Sequence, residues 1–480
     1  MSEDEKINRK ELSQNAGQGL KKYSLNSIIT YVLQIISTLV LSKFLSGNDY
    51  GIFGTLRSWI ASISYITDIG LSEGIVQQKE EITSQQTRIY LAIRITLALI
   101  MSILFSIFFY FKGSTLNIGE ETNYFFYGLG LFAVLDILSA FPKFYFQKKL
   151  DFSSIAKIEL ISSVLLYIFQ ITLAVLGAGV WALFSGVLIK FCTFIYWGLQ
   201  RKVFKTPSFK HLSSITPLIK KGGVFQLNLI LIGLTGFISP IILNYYLPTN
   251  DVGLYFWANG LVSIPLAIIF NYQNILFPTF SKLQDAHSDL KILNTRSMQL
   301  LLILISCVFS LGAILSPTIV KIVFDQKWFF ATKFISMLCL SVALYSIRQM
   351  PQTLLTGIGW ANEKLIGELV YVVTLFTYTL INIKEMGLPG FIQALVVANA
   401  LSLSVSLFLT RKYIYKEVYF RIIAFLLAAV ASWYINYLNN PQLEPLKTIP
   451  SIGLLFFLSS VLDKDYLKDL LALLSKLKRR

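Results

Sequence analysis

Apolar stretches of about 20 residues recur almost without interruption along this chain, and few folds can accommodate that. Fourteen can be counted in the 480 residues, at roughly 22–45, 49–71, 88–111, 122–141, 155–177, 179–199, 223–246, 251–276, 297–321, 329–350, 362–383, 387–410, 420–438 and 448–462. Each is long enough to cross a hydrocarbon core of about 30 Å as a helix, and too long for a barrel strand of about ten residues. Within a bilayer every backbone N–H and C=O must be paired inside the protein, which leaves the α-helix for such segments. The chain is 55% hydrophobic and 14% charged, with a mean hydropathy of +0.63, where soluble domains carry about a quarter charged residues. The expectation is an all-α polytopic membrane protein with 14 transmembrane helices. Residues 1–20 are polar, with no apolar run, and read as a cytoplasmic segment rather than a cleaved signal peptide.

Charge placement orients the helices. Alternate loops hold most of the cations: Lys21 and Lys22; Lys143, Lys148 and Lys149; Arg201 through Lys221; Lys282, Lys291 and Arg296; Arg411, Lys412 and Lys416; and the tail Lys476 to Arg480. The intervening loops hold single lysines, Lys112, Lys384 and Lys447, apart from the trio Lys321, Lys327 and Lys333. Under the positive-inside rule both termini are cytoplasmic, in keeping with an even number of spans. The net charge of +16 is thus mostly a topology signal. Its dispersal over short loops argues against nucleic acid as a partner.

The chain also repeats itself. Sliding residues 21–53 by 202 positions onto 223–255 without a gap gives ten identities in 33 positions, among them Asn48, Asp49 and Gly51 on Asn250, Asp251 and Gly253; composition alone would give about three. Pro142 and Glu159-Leu160 return as Pro351 and Glu368-Leu369 at an offset of 209, and Gly179-Val180 is loosely echoed by Gly390-Phe391. Span one pairs with span seven, so each half holds six helices. An even number puts both halves in the same orientation, related by a pseudo-two-fold axis along the membrane normal. The expected organisation is a cytoplasmic segment 1–20, an N-terminal lobe 21–199, a cytoplasmic connector 200–221, a C-terminal lobe 222–410, two extra helices in 411–462, and an amphipathic cytoplasmic tail 463–480 with Leu467, Leu470, Leu471 and Leu474 on one face.

No G-x-x-x-x-G-K-[ST], H-E-x-x-H or G-x-S-x-G occurs, which leaves no P-loop for a nucleotide and none of these catalytic sites. Cys192, Cys307 and Cys339 lie within spans at unrelated spacings, and His211 and His287 in separate loops, so no metal, cofactor or disulfide is expected. A two-half bundle without these is built like a secondary transporter, with its path between the halves. Proline beside serine at Ser239-Pro240, Ser263-Ile264-Pro265 and Ser316-Pro317 marks candidate bends.

Charges inside spans carry the most information, because each costs about 2.5–3.5 kcal/mol or more at mid-bilayer unless it meets a partner or water. Arg57 lies about eight residues into the second span, about 12 Å from its outer end at 1.5 Å per residue. Lys190 is near the middle of the sixth span and Arg94 a turn and a half into the third. Arg57, Lys190 and Arg94 are the candidate substrate-binding cations. Opposing them are Asp68 and Glu73 at the inner end of span two, Asp136, Glu159 and Glu368; of these Asp68, Asp136, Glu159 and Glu368 could serve coupling or gating. A direct Arg57–Asp68 pair is not expected, since eleven residues place them about 16 Å apart on one helix. Both deep cations fall in the first half, and a cavity charged chiefly on that side is the expectation.

Short motifs connect this pattern to a family. They are Asn48-Asp49-Tyr50-Gly51-Ile52-Phe53, Asp68-Ile69-Gly70-Leu71-Ser72 with Ile75-Val76-Gln77, Leu176-Gly177-Ala178-Gly179-Val180-Trp181-Ala182-Leu183, and Leu276-Phe277-Pro278-Thr279-Phe280-Ser281-Lys282-Leu283-Gln284-Asp285. From about residue 20 to residue 460 the chain resembles the polysaccharide and O-antigen flippases of the MATE-like superfamily, in the lipopolysaccharide and teichuronic-acid exporter branch. The resemblance implies movement of an undecaprenyl-diphosphate-linked oligosaccharide across the bacterial inner membrane by alternating access. It implies a cationic cavity for the diphosphate, with Arg57 in the place of a functional second-span arginine. The partners it implies are the lipid-linked oligosaccharide, membrane lipids, a polysaccharide polymerase and chain-length proteins. Two alternatives stand beside it: a cation- or proton-coupled multidrug or metabolite antiporter of the same fold, and a membrane-embedded polymerase or glycosyltransferase. The last would need a large loop rich in catalytic side chains, which the sequence lacks.

Overall fold

The computed structural model describes residue 26 and residues 29–69, 83–112, 123–149, 151–210 and 216–423. Glu73, His211, the segment 1–20, nearly all of spans thirteen and fourteen and the tail 463–480 lie outside the described residues. The α-helices with described bounds are α1 Ile29–Phe44, α2 Gly47–Ile66, α3 Ser84–Lys112, α4 Asn123–Lys148, α5 Phe152–Val175, α6 Val180–Gln200, α7 Thr216–Tyr246, α8 Thr249–Val262, α9 Leu266–Lys282, α10 His287–Val323, α11 Ile335–Gly357, α12 Ala361–Met386 and α13 Leu388–Leu409; residues 416–423 are helical as well. A 3₁₀ helix, Gln326–Lys333, precedes α11 at a bend of 58°. Among the described residues seven helices are long and apolar enough to cross a membrane, or eight if the bent pair is one span. No strand occurs among these residues. The protein is therefore all-helical and multi-pass.

Two departures from the sequence reading have local causes. The span read as 251–276 is two helices, α8 and α9, because Pro265 supplies no N–H to continue the ladder. Helix α7 begins at Thr216, inside the stretch read as a connector, with Pro217 in its first turn where a missing N–H is harmless. By contrast Pro142, Pro240, Pro317 and Pro351 all sit inside continuous helices.

The chain forms two compact units, residues 1–256 and 257–480. In the first, α5 packs on α6, α4 on α3 and α6, and α2 on α4 and α7. Its core is aromatic and aliphatic: Trp59, Ile60, Ile63, Phe105, Ile137 and Phe184 are all but sealed. In the second unit α12 packs on α13, and α11 on α9, α10 and α13. The unit boundary falls later than the repeat boundary near residue 222 because α7 lies along α2. Three side-chain bonds fix that pairing: Asn244 donates to Thr55 Oγ1 at 3.0 Å, Trp59 Nε1 to the Phe237 carbonyl at 3.1 Å, and Gln226 Nε2 to the Ile66 carbonyl at 3.0 Å. Polar bonds of this kind hold helices together where lipid provides no hydrophobic drive.

The repeated motif meets its own copy. A Cβ on Gly51 would run into the Thr249 carbonyl and lie 3.2 Å from the Gly253 nitrogen, and one on Gly253 would run into the Gly47 carbonyl and lie 2.7 Å from the Gly51 nitrogen. Gly51 and Gly253 are the aligned pair of the repeat, so the conserved spacing within this one sequence is a packing requirement. Gly253→Val should therefore destabilise the protein by about 2 kcal/mol or more through overpacking, read as a lower melting temperature in detergent; an unchanged melt would mean the helices can part at no cost. A second echo appears in the loops. Gly179, before α6, has φ 54° and ψ −133°, and Gly387, before α13, has φ 61° and ψ −137°, a conformation open to glycine alone. The conformational counterpart of Gly179 is thus Gly387, three residues earlier than the Gly390 suggested by sequence.

Candidate functional site

Four helices of the first unit bring their charges together. Arg57 of α2 donates from Nη1 to Asp136 Oδ1 of α4 at 3.4 Å, with side chains 39% and 16% exposed. The Arg57 guanidinium also lies 5.8 Å over the ring of Phe191 on α6. Next to Phe191 in sequence, Lys190 is half-buried and feels the charges of Glu159, Lys143 and Arg57; it forms no ion pair among the described residues. Lys143 of α4 donates to Glu159 Oε1 of α5 at 2.5 Å, both remaining partly exposed. Three basic side chains, Arg57, Lys143 and Lys190, thus stand against two acidic ones, Asp136 and Glu159.

Partial exposure is the informative property. A charge on the lipid side of a span would carry the full transfer penalty, so partly exposed charges inside a span call for water or a polar ligand beside them. Arg57 spends one donor on a long contact to Asp136 and keeps the rest of its five-donor fork. That arrangement suits a phosphate or other oxyanion. Lys143 belongs to this cluster because α4 continues through Pro142 to Lys148; the sequence reading had assigned it to a loop.

Arg94 is placed differently. It is buried, 3.0 Å from Asp68, and donates to Tyr90 Oη at 2.6 Å and to the Ser64 carbonyl at 2.6 Å. The carboxylate that the sequence left without a partner closes on α3, and this network ties the C-terminal end of α2 to α3. While it stands, the same guanidinium face cannot hold a phosphate.

The second unit holds a cation that the sequence reading passed over. Arg348 of α11 pairs with Glu368 of α12 at 3.1 Å and donates to Ser402 Oγ of α13 at 3.2 Å, with the pair's side chains only 3% and 7% exposed. Tyr371 lies 4.4 Å from the guanidinium and Tyr345 5.4 Å. The expectation of no deep cation in the second half is corrected: one exists, but it is neutralised and sealed. Glu159 and Glu368, aligned in the repeat, both pair with a cation on the preceding helix. The partner is Lys143 in one case and Arg348 in the other, which at the offset of 209 differ by about one helical turn.

Among the described residues no group of three or more His, Cys, Asp or Glu could hold a metal ion. Cys192 is exposed, Cys339 buried, and both are free thiols. His287 stacks on Tyr413 at 5.7 Å.

Comparison with known proteins places this arrangement. The polysaccharide biosynthesis protein family matches residues 40–333, more than half of the chain and all four helices of the open cluster. The chain belongs to that family. Similar relatives are the lipopolysaccharide biosynthesis protein WzxC of Escherichia coli, 24% identical over 338 residues, covering 68% of this chain and 67% of the relative; the succinoglycan biosynthesis transport protein ExoT of Rhizobium meliloti, 22% identical over 359 residues, 74% and 70%; and the teichuronic acid biosynthesis protein TuaB of Bacillus subtilis, 22% identical over 338 residues, 67% of each. The fold is that of the lipid II flippase MurJ in an inward closed conformation, with a TM-score of 0.70 at 13% identity over 93% of this chain and 99% of that one. It is also similar to an inward-facing MATE multidrug transporter, with a TM-score of 0.58 at 14% identity over 79% and 94%. This polysaccharide biosynthesis family member therefore has a MurJ- and MATE-like membrane fold.

Proposed function

We propose that the protein flips an undecaprenyl-diphosphate-linked oligosaccharide from the inner to the outer leaflet of the bacterial plasma membrane by alternating access, for surface polysaccharide export. The observation that carries this reading is the cluster of partly exposed Arg57 and Lys143 with Lys190 close by, basic groups outnumbering acids within membrane helices. A diphosphate and its sugars cannot cross hydrocarbon unassisted, since each unpaired charge or polar group is penalised there. A recess that offers a forked guanidinium and two ammonium groups lowers that barrier on the polar side while the polyprenyl tail stays in lipid. Arg57 and Lys190 bind the diphosphate. Asp136 and Glu159 hold the cations in place and exchange them with the phosphate oxygens. Arg94 with Asp68, and Glu368 with Arg348, fasten helices to one another.

In this reading the chain has fourteen spans in two six-helix lobes with a pseudo-two-fold axis along the membrane normal, both ends in the cytoplasm and no catalytic step. A polysaccharide polymerase and chain-length proteins act on what it delivers. The names of WzxC, ExoT and TuaB, each a polysaccharide biosynthesis or transport protein, support the substrate class. A cation-coupled antiporter of the same fold would require carboxylates open to a cation; Asp136, Glu159, Asp68 and Glu368 each have a basic partner within 4 Å, which favours the flippase. The deciding experiment is depletion of the protein in its host. Labelled lipid-linked sugar should build up in the inner leaflet while the outer leaflet empties, and a normal outer-leaflet level after depletion would reject the proposal.

A further inference from the structure

We propose that the second unit carries a binding site for the headgroup of anionic phospholipid at its outer end, built from Lys321, Lys327 and Lys333. It rests on the topology proposed above. These three lysines are the one breach of the positive-inside pattern: each other loop on that side carries one lysine or none. Together with Asp325 they give residues 320–334 three positive charges against one negative, a net +2.

The structure gives the trio a rigid mount. Lys321 ends α10, the chain turns extended at Phe324, and the 3₁₀ helix Gln326–Lys333 runs at 58° to α11. One side of this short helix is anchored. Trp328 and Ala331 are fully buried, and the Trp328 ring stacks on Trp257 at 4.4 Å and 16°, with Phe324 edge-on to Trp257 at 5.0 Å. The other side presents Lys327, Phe330 and Lys333 outward. Lys327 Nζ sits 5.7 Å from the Trp328 ring and Lys333 Nζ 4.6 Å from the Phe330 ring, so aromatic faces limit where the ammonium groups can go. Directly beside them, Ile322 is 78% exposed, and Val323 and Ile319 are exposed as well.

A platform with fixed cations above a bare aliphatic strip matches the two ends of a phospholipid. The strip takes acyl chain and the lysines take phosphate. A soluble anion would leave Ile322 and Val323 facing water. Lysine is a compact point charge that accepts phosphate from several directions, which fits a headgroup held by attraction at the interface rather than by a fixed bidentate geometry. Each basic residue close to an anionic membrane surface strengthens binding about fivefold.

The full-length protein, delipidated in mild detergent, should be titrated with phosphatidylglycerol or phosphatidylcholine, with bound lipid counted by native mass spectrometry. Wild type should retain phosphatidylglycerol over phosphatidylcholine. Lys321→Gln/Lys327→Gln/Lys333→Gln should weaken phosphatidylglycerol binding at least tenfold, with phosphatidylcholine unchanged. A matched control, Lys202→Gln/Lys205→Gln/Lys210→Gln, removes the same charge elsewhere and should have little effect. If the first variant binds phosphatidylglycerol within twofold of wild type, or if both triple variants lose it equally, the site does not exist. Should the triple variant fail to fold, Lys327→Gln alone should show a threefold to fivefold loss, and an undiminished affinity would again overturn the proposal. No substrate lipid is present in this assay, so its failure leaves the reading of Arg57 standing.

Discussion

Arg57→Ala should stop glycan export while the protein remains inserted at its normal level. Arginine holds a phosphate through two parallel charge-assisted bonds. Losing them in a partly desolvated recess costs about 3 kcal/mol, on the order of a hundredfold in affinity for the diphosphate. Arg57→Lys keeps the charge and loses the fork, and should retain partial export. The complication is Asp136: removing Arg57 leaves that carboxylate, only 16% exposed, without its 3.4 Å partner. Arg57→Ala/Asp136→Asn separates the two effects. The double variant removes the orphaned charge, so any purely structural defect should be relieved, yet export should stay absent. Export of labelled glycan at the wild-type rate by either variant would mean that the diphosphate is held elsewhere.

Arg348→Ala should be the most destabilising single change among the ion pairs. It strands Glu368 in a site where the pair's side chains are 3% and 7% exposed, and breaking a buried pair on one side typically costs about 3–5 kcal/mol. The expected readout is a large fall in melting temperature in detergent and a low level in the membrane. Replacing both partners by apolar residues of similar size, Arg348→Met/Glu368→Leu, should recover most of the stability, because no buried charge is then left alone. Export by the recovered double variant would agree with a fastening role. A double variant that melts like wild type but does not export would instead give the pair a part in transport, and an Arg348→Ala protein as stable as wild type would show that Glu368 has another way to discharge its burial.

Much of this was legible in the sequence because it depends on local composition. Runs of about 20 apolar residues dictate helices wherever water is absent, whatever those helices later touch. The gapless repeat located Gly51 and Gly253 before their contact was known, and the depth of Arg57 and Lys190 in their spans marked them as charges that need a recess. The family motifs pointed the same way, and the match over residues 40–333 bears the family out. Partnership was not legible. Arg57 pairs with an acid 79 residues away, Asp68 goes to Arg94 on α3, and Arg348, unmarked in the sequence, is enclosed by α12 and α13. Which face of a helix meets which neighbour depends on the rotation and tilt of helices that are far apart in the chain. A change of about one position, or 100° of rotation, would give every one of these charges a different partner. The sequence by itself determined the helices, their likeness in two halves and the charges they must shelter. Only the tertiary packing decided which charges are sealed against each other and which stay partly exposed.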